Sequence, residues 1–239
     1  MRVKPLAECI RKRIGRVTGL HSLILYGSLV RGDFLPGTSD VDFFAVLEDE
    51  TDPELVLEKI TPVLKECSSY LNPVEVDIAW EWLSNLRDPL NSGYPYKFLT
   101  VYQRDFREHH IVLLGEDVID LLPEYPLEEI ISRRLENTLK NLKRFKGNRK
   151  MLHILAGETA RLVAFLNGST LLKGDVLHTL QELGEGDAVK IYRAYLDGRK
   201  LEFEEAFLES FIKRWIKKLK GKSSPSLSSP LLKEYDPIK

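Results

Sequence analysis

Six residues in the first third of the chain combine types and spacings that could do chemistry. Gly27-Ser28 follows the apolar run LILY, and a Gly-Ser bend leaving a strand offers backbone N–H groups and a hydroxyl to a phosphate. Asp40 and Asp42 stand two apart at the head of DVDFFAVL, so on a strand both carboxylates project to one face. Glu75 and Asp77 repeat that spacing in VEVDI. Ionised neighbours of this kind repel one another unless solvent or a hard cation compensates them, and magnesium suits oxygen ligands while keeping positions for water and substrate phosphates. Each signal has a plain alternative: Gly27-Ser28 as an ordinary turn, Asp40 as a loop cap with Asp42 in water, and Glu75/Asp77 as the wet face of an amphipathic edge strand. Their occurrence in order within one α/β unit favours a shared carboxylate cluster.

The elements needed to position these residues are legible. Residues 4–17 have amphipathic helical spacing, and Gly19 leads into the strand HSLILY. A short helix after Ser28, a polar loop DFLPGTS, the strand DVDFFAVL, a helix over 52–70 broken or kinked at Pro62, and the strand PVEVDIAW complete the unit. NSGYPY reads as loop, KFLTVYQRDFREHH as helical, and IVLLGEDV as a further short strand. From Pro126 onward five segments with three-to-four-residue apolar periodicity predict a helical bundle. The expected class is α+β: an N-terminal α/β domain with a small mixed sheet over 1–120, a bundle over 121–222, and a Ser/Pro-rich, loosely ordered tail over 223–239.

Composition narrows the function classes. The 239 residues carry 35 basic and 36 acidic side chains, a net charge of -1, so no global field favours bulk nucleic acid or an anionic membrane. A transmembrane span and a signal-peptide core are both missing from the pattern, which predicts a cytoplasmic, soluble protein. Cys9 and Cys67 belong to no metal or redox motif, and are expected as buried, reduced small hydrophobes. His109-His110 cannot share one face of a helix or strand and lack a third ligand nearby, which predicts surface histidines.

The stretch LILYGSLVRGDFLPGTSDVDFFAVLED resembles the nucleotidyltransferase signature of the polymerase-β superfamily, in which hydrophobic-Gly-Ser precedes Asp-x-Asp and a later strand brings a third acid. It is most similar to minimal nucleotidyltransferases and aminoglycoside adenylyltransferases. Eleven residues separate Ser28 from Asp40, one more than the commonest spacing, and a loop with Pro36 and Gly37 can absorb the extra one. The resemblance implies that Gly27 and Ser28 hold the triphosphate of ATP or another NTP, with Arg31 near the same phosphates or simply solvated. It implies that Asp40, Asp42 and Asp77 bind Mg2+, and that Asp77 or Glu75 serves the acceptor hydroxyl. In the second half, GETARLVAFLNG followed by Leu172-Lys173-Gly174-Asp175 resembles a helix pair in which a lysine approaches the nucleotide, making Lys173 a candidate phosphate ligand and Glu158 a candidate acceptor-side base or a helix salt bridge. The implied reaction moves a nucleoside monophosphate, AMP by family habit, to a hydroxyl of a small molecule or protein, in a cleft between the domains. The alternative is a non-catalytic nucleotide-binding or antitoxin-like module. Nucleic acid is the less favoured partner, and a homodimer is compatible with the pattern.

Overall fold

The computed structural model describes residues 3–92, 96–197 and 205–221. The chain forms two compact units that meet in sequence at Glu124/Tyr125.

In the first unit, α1 (Val3–Arg13) leads to β1 (Leu20–Tyr26), the single turn α2 (Ser28–Arg31), β2 (Val41–Leu47), α3 (Pro53–Ser68), β3 (Val76–Trp82), α4 (Gln103–Glu108) and β4 (Ile111–Gly115). The four strands form one mixed sheet in the order β3-β2-β1-β4. β1 runs antiparallel to both β2 and β4, whereas β2 and β3, joined by the α3 crossover, are parallel. That crossover sets the two D-x-D-like segments side by side with matching ends.

Strand alternation divides the sheet cleanly. Leu23, Leu25, Val41, Phe43, Ala45, Leu47 and Leu113 face α1 and α3 and share a core with Leu6, Ile10, Val56, Ile60 and Leu64. Ile24, Phe44, Val46 and Ala79 face the opposite way, against Leu86, Leu99, Phe106, Val118 and Leu122. β2 is therefore buried on both faces except at its head, where Asp42 interrupts the apolar row. About 25 cal/mol per Å² of buried apolar surface acts on both sides of this strand, which fixes its register and that of the acids it carries.

Three expectations change here. Helix α3 runs on through Pro62, which is exposed, so the carbonyl left without a donor one turn earlier can turn to water. KFLTVYQRDFREHH folds as turns over 97–102 and only six helical residues, because its aromatic residues serve a core that local spacing does not reveal. Cys9 and Cys67 are joined by a disulfide with a Cα–Cα distance of 5.8 Å, correcting the reading of two reduced thiols. Their 58-residue separation hides the pairing in the sequence, but α1 and α3 lie on the same face of the sheet and bring the sulfurs together. Part of NSGYPY, residues 93–95, and the tail from 222 on lie outside the described residues.

The second unit contains α5 (Leu127–Arg144), α6 (Arg149–Leu166), α7 (Lys173–Glu182), α8 (Gly186–Leu196) and α9 (Glu205–Lys220). The predicted helical bundle is present. α6 is its central element, burying Leu155, Ala156, Thr159, Ala160, Leu162, Val163, Ala164 and Phe165. Gly157 lies directly against the Tyr195 ring of α8, where a Cβ would come within 2.7 Å of ring carbon, so glycine lets these helices approach. Among the described residues no helix is long and apolar enough to cross a membrane.

Candidate active site

β1 ends at Tyr26, and the chain turns sharply at Gly27, whose φ of 79° lies in the left-handed region. A Cβ there would sit 2.0 Å from Oδ2 of Asp42, so only glycine lets the bend close over that carboxylate. Val30 and Arg31 donate their N–H groups to the Gly27 carbonyl, and Gly32 and Asp33 donate theirs to the Ser28 carbonyl. The N–H groups of Ser28 and Leu29, at the head of the turn, have no partner within it.

Register then gathers the acids. Tyr26 pairs with Asp42 across β1 and β2, and Asp42 pairs with Asp77 across β2 and β3. Directly paired residues share a face, so Tyr26, Asp42 and Asp77 form a row across three strands. One step earlier the Val41 N–H bonds to the Glu75 carbonyl, and the Asp40 carboxylate accepts from the Glu75 N–H. Asp40, Glu75 and Asp77 reach solvent while Asp42 is half-buried.

The electrostatics are those of a crowded anionic edge. Partial burial raises the Asp40 carboxyl above its usual range, the charges of Asp77 and Glu75 raise it further, and the Glu75 N–H bond opposes them. Asp77 is raised by burial and then by Glu75, against a hydrogen bond from the Ile78 N–H. Burial lifts the Tyr26 phenol well above its ordinary value, with the charges of Asp42 and Asp77 adding to it. Among the described residues no three His, Cys, Asp or Glu side chains are already drawn together around a metal-sized point. The donor set nonetheless fits a hard cation: Asp40, Asp42, Glu75 and Asp77 all offer carboxylate oxygens, neighbouring charges raise Asp40 and Asp77, and three of the four are open to water.

Arg31 ends the turn after Ser28, but its guanidinium is largely buried between two acids. Nη1 donates to Asp105 Oδ2 at 2.9 Å, and Nε lies 3.5 Å from Asp33 Oδ1. His109 Nδ1 stands 3.3 Å from the other oxygen of Asp105. Burial pushes the Asp105 carboxyl up, and the Arg31 charge and hydrogen bond pull against it. This cluster escapes sequence reasoning because Asp105 lies 74 residues from Arg31 within an ordinary amphipathic pattern. The surface reading of the histidines also needs correction: His110 bonds Asp117 and the Arg107 carbonyl and has only 14% of its side chain exposed.

Beneath the row lies an aromatic floor. Phe98 is 4.4 Å and Phe106 5.5 Å, centroid to centroid, from Tyr26, and Phe44 packs edge-on to both. No motif announces it.

Lys173 belongs to the second unit, where it is the first residue of α7 beside a Thr170 hydroxyl that donates to Asp175 at 2.6 Å. Glu158, also on that unit, lies 3.9 Å from Arg161.

Comparison with known proteins bears on the family and the fold. The nucleotidyltransferase domain model matches residues 6–144, more than half of the chain. Among solved structures, the spectinomycin adenyltransferase AAD(9) from Enterococcus faecialis, determined with ATP and spectinomycin, superposes with a TM-score of 0.58 at 17% identity, covering 92% of this chain and 98% of that one. At that identity the likeness is one of fold. No curated protein matches in sequence. The head of the sheet, with its Gly27 bend and paired carboxylates, thus lies inside the matched region, and the chain belongs to the nucleotidyltransferase domain family.

Proposed function

We propose that this nucleotidyltransferase moves AMP from ATP onto a hydroxyl of a small-molecule acceptor and releases pyrophosphate. The observation that carries the reading is the register row: Asp42 meets Asp77 in the next strand while Gly27 closes over Asp42 from the preceding one. The Gly27-Ser28 bend would receive the triphosphate, and Asp40, Asp42 and Asp77 would hold magnesium. Bound there, the cation would supply charge neutralisation for the phosphate oxygens during in-line displacement. The acceptor oxygen bonds to the α-phosphorus as the bond from that phosphorus to the β-bridging oxygen breaks. The acceptor proton passes to Glu75, just before β3, or Asp77 on it, both of which reach solvent. Arg31 ends the turn that starts at Ser28 and holds it from within the first unit.

ATP and a small acceptor are favoured because the structurally similar adenyltransferase was determined with ATP and spectinomycin. A protein hydroxyl is the second acceptor class. The test uses ATP labelled at the α- or γ-phosphate, magnesium, and a panel of hydroxylated acceptors. Transfer of the α label alone, with pyrophosphate released, is the expected result. Nucleotide binding without turnover on any acceptor would favour a non-catalytic binding module, and release of the γ label as orthophosphate would contradict nucleotidyl transfer.

A further inference from the structure

We propose that Asp105 is a positioning residue for nucleotide binding: it holds Arg31, and through Arg31 the Gly27-Ser28 bend, in the geometry that receives the donor. The inference rests on the nucleotidyl-transfer reading above and extends it to a residue outside the sequence signature.

The bend is gripped from several directions by contacts distant in sequence. Arg31 closes the single turn that starts at Ser28, and its Nη1 donates to Asp105 on α4. Asp33, whose backbone N–H bonds the Ser28 carbonyl, presents its carboxylate to the Nε of the same guanidinium. Next to Asp105, Phe106 packs edge-on against Tyr26, the residue before Gly27. α4 therefore contacts the residues on both flanks of the bend, Arg31 through an ion pair and Tyr26 through a ring contact. The Arg31 and Asp105 side chains are only 13% and 9% exposed. A pair buried this far is weak evidence of net stabilisation, because desolvation offsets much of its Coulomb gain, yet it specifies one arrangement strongly. One guanidinium facing two carboxylates is also not a free positive charge awaiting a phosphate. Its contribution is to orient the turn, where a displacement near 1 Å can cost on the order of 10²-fold in rate.

The test is calorimetric titration of the full chain with a nonhydrolysable ATP analogue and magnesium, paired with thermal melts. Asp105→Asn is expected to weaken analogue binding about tenfold, in line with the loss of one charge-assisted contact. Arg31→Met should do the same, and the double variant should be no worse than either single, since both act through one contact. Where single variants melt early, Arg31→Met with Asp105→Leu and Asp33→Asn provides the control: with neither carboxylate left buried without its guanidinium, this variant should fold about as stably as the wild type and still bind weakly. Asp105→Glu should recover most of the affinity. In turnover, KM for the nucleotide should rise more than kcat falls. Unchanged or tightened binding in Asp105→Asn, additive losses in the double variant, or wild-type affinity in the triple variant would overturn the proposal. A wild-type chain that binds no analogue would instead remove the donor reading beneath it.

Discussion

Asp42 carries the most specific residue-scale expectation, because it touches both halves of the proposed site. It is one step from Gly27 in space and pairs with Asp77 in register. Asp42→Asn should lower kcat/KM by at least about 10³-fold, a loss near 4 kcal/mol in transition-state stabilisation, with the melting temperature held or raised. Turnover within tenfold of wild type would contradict the assignment. Gly27→Ala must push its methyl against the Asp42 carboxylate and adopt a strained φ, so both stability and activity should fall, read by a melt and a turnover assay. The pH dependence follows from Asp40 and Asp77, whose carboxyls are raised in the folded chain. The folded state then holds protons that the unfolded chain has released, so stability declines as pH rises from the usual carboxylate range, near 4, through the raised values, and stays lower above them. Magnesium should therefore raise the melting temperature at neutral pH and lose that effect once these acids are protonated. An equal magnesium shift in Asp40→Asn would contradict the metal assignment.

Elements explain which residues the sequence could reveal. Asp40, Asp42 and Asp77 stood out because polar residues two apart break an apolar strand pattern, and the strands carrying them form where the alternation predicts. The register that joins them depends on α3 carrying the chain across in parallel, which hydropathy hints at but does not fix. Asp105 and the aromatic floor were hidden, since residues 97–110 fold against a core built from several other segments and obey no single period. The disulfide was hidden for a similar reason: two motifless cysteines meet only because α1 and α3 share a face. Its closure of a long loop predicts a measurable cost of removal. Cys67→Ser, or reduction, should destabilise the chain by roughly 2–4 kcal/mol, seen as a lower denaturation midpoint with a steeper slope, because the unfolded chain loses its cross-link and exposes more surface. Two titratable thiols in the native, unreduced protein would contradict the bond.

At the scale of the whole molecule, the match to the nucleotidyltransferase domain over residues 6–144 and the helices α5–α9 among the described residues both agree with the α+β reading of the sequence. Acceptor identity was not legible, because no contiguous signature in the sequence encodes it. The near-neutral charge balance makes a separate prediction: binding to unrelated RNA should be weak at physiological salt, with a shallow salt slope in a filter or anisotropy assay. A steep slope with tight binding would point to a polynucleotide acceptor. The most direct measurement is a crystal structure with a nonhydrolysable ATP analogue and magnesium. The triphosphate is expected along the Gly27-Ser28 bend, with a cation ligated by Asp40, Asp42 and Asp77; a nucleotide bound elsewhere, with those carboxylates left in water, would contradict the donor and metal assignments.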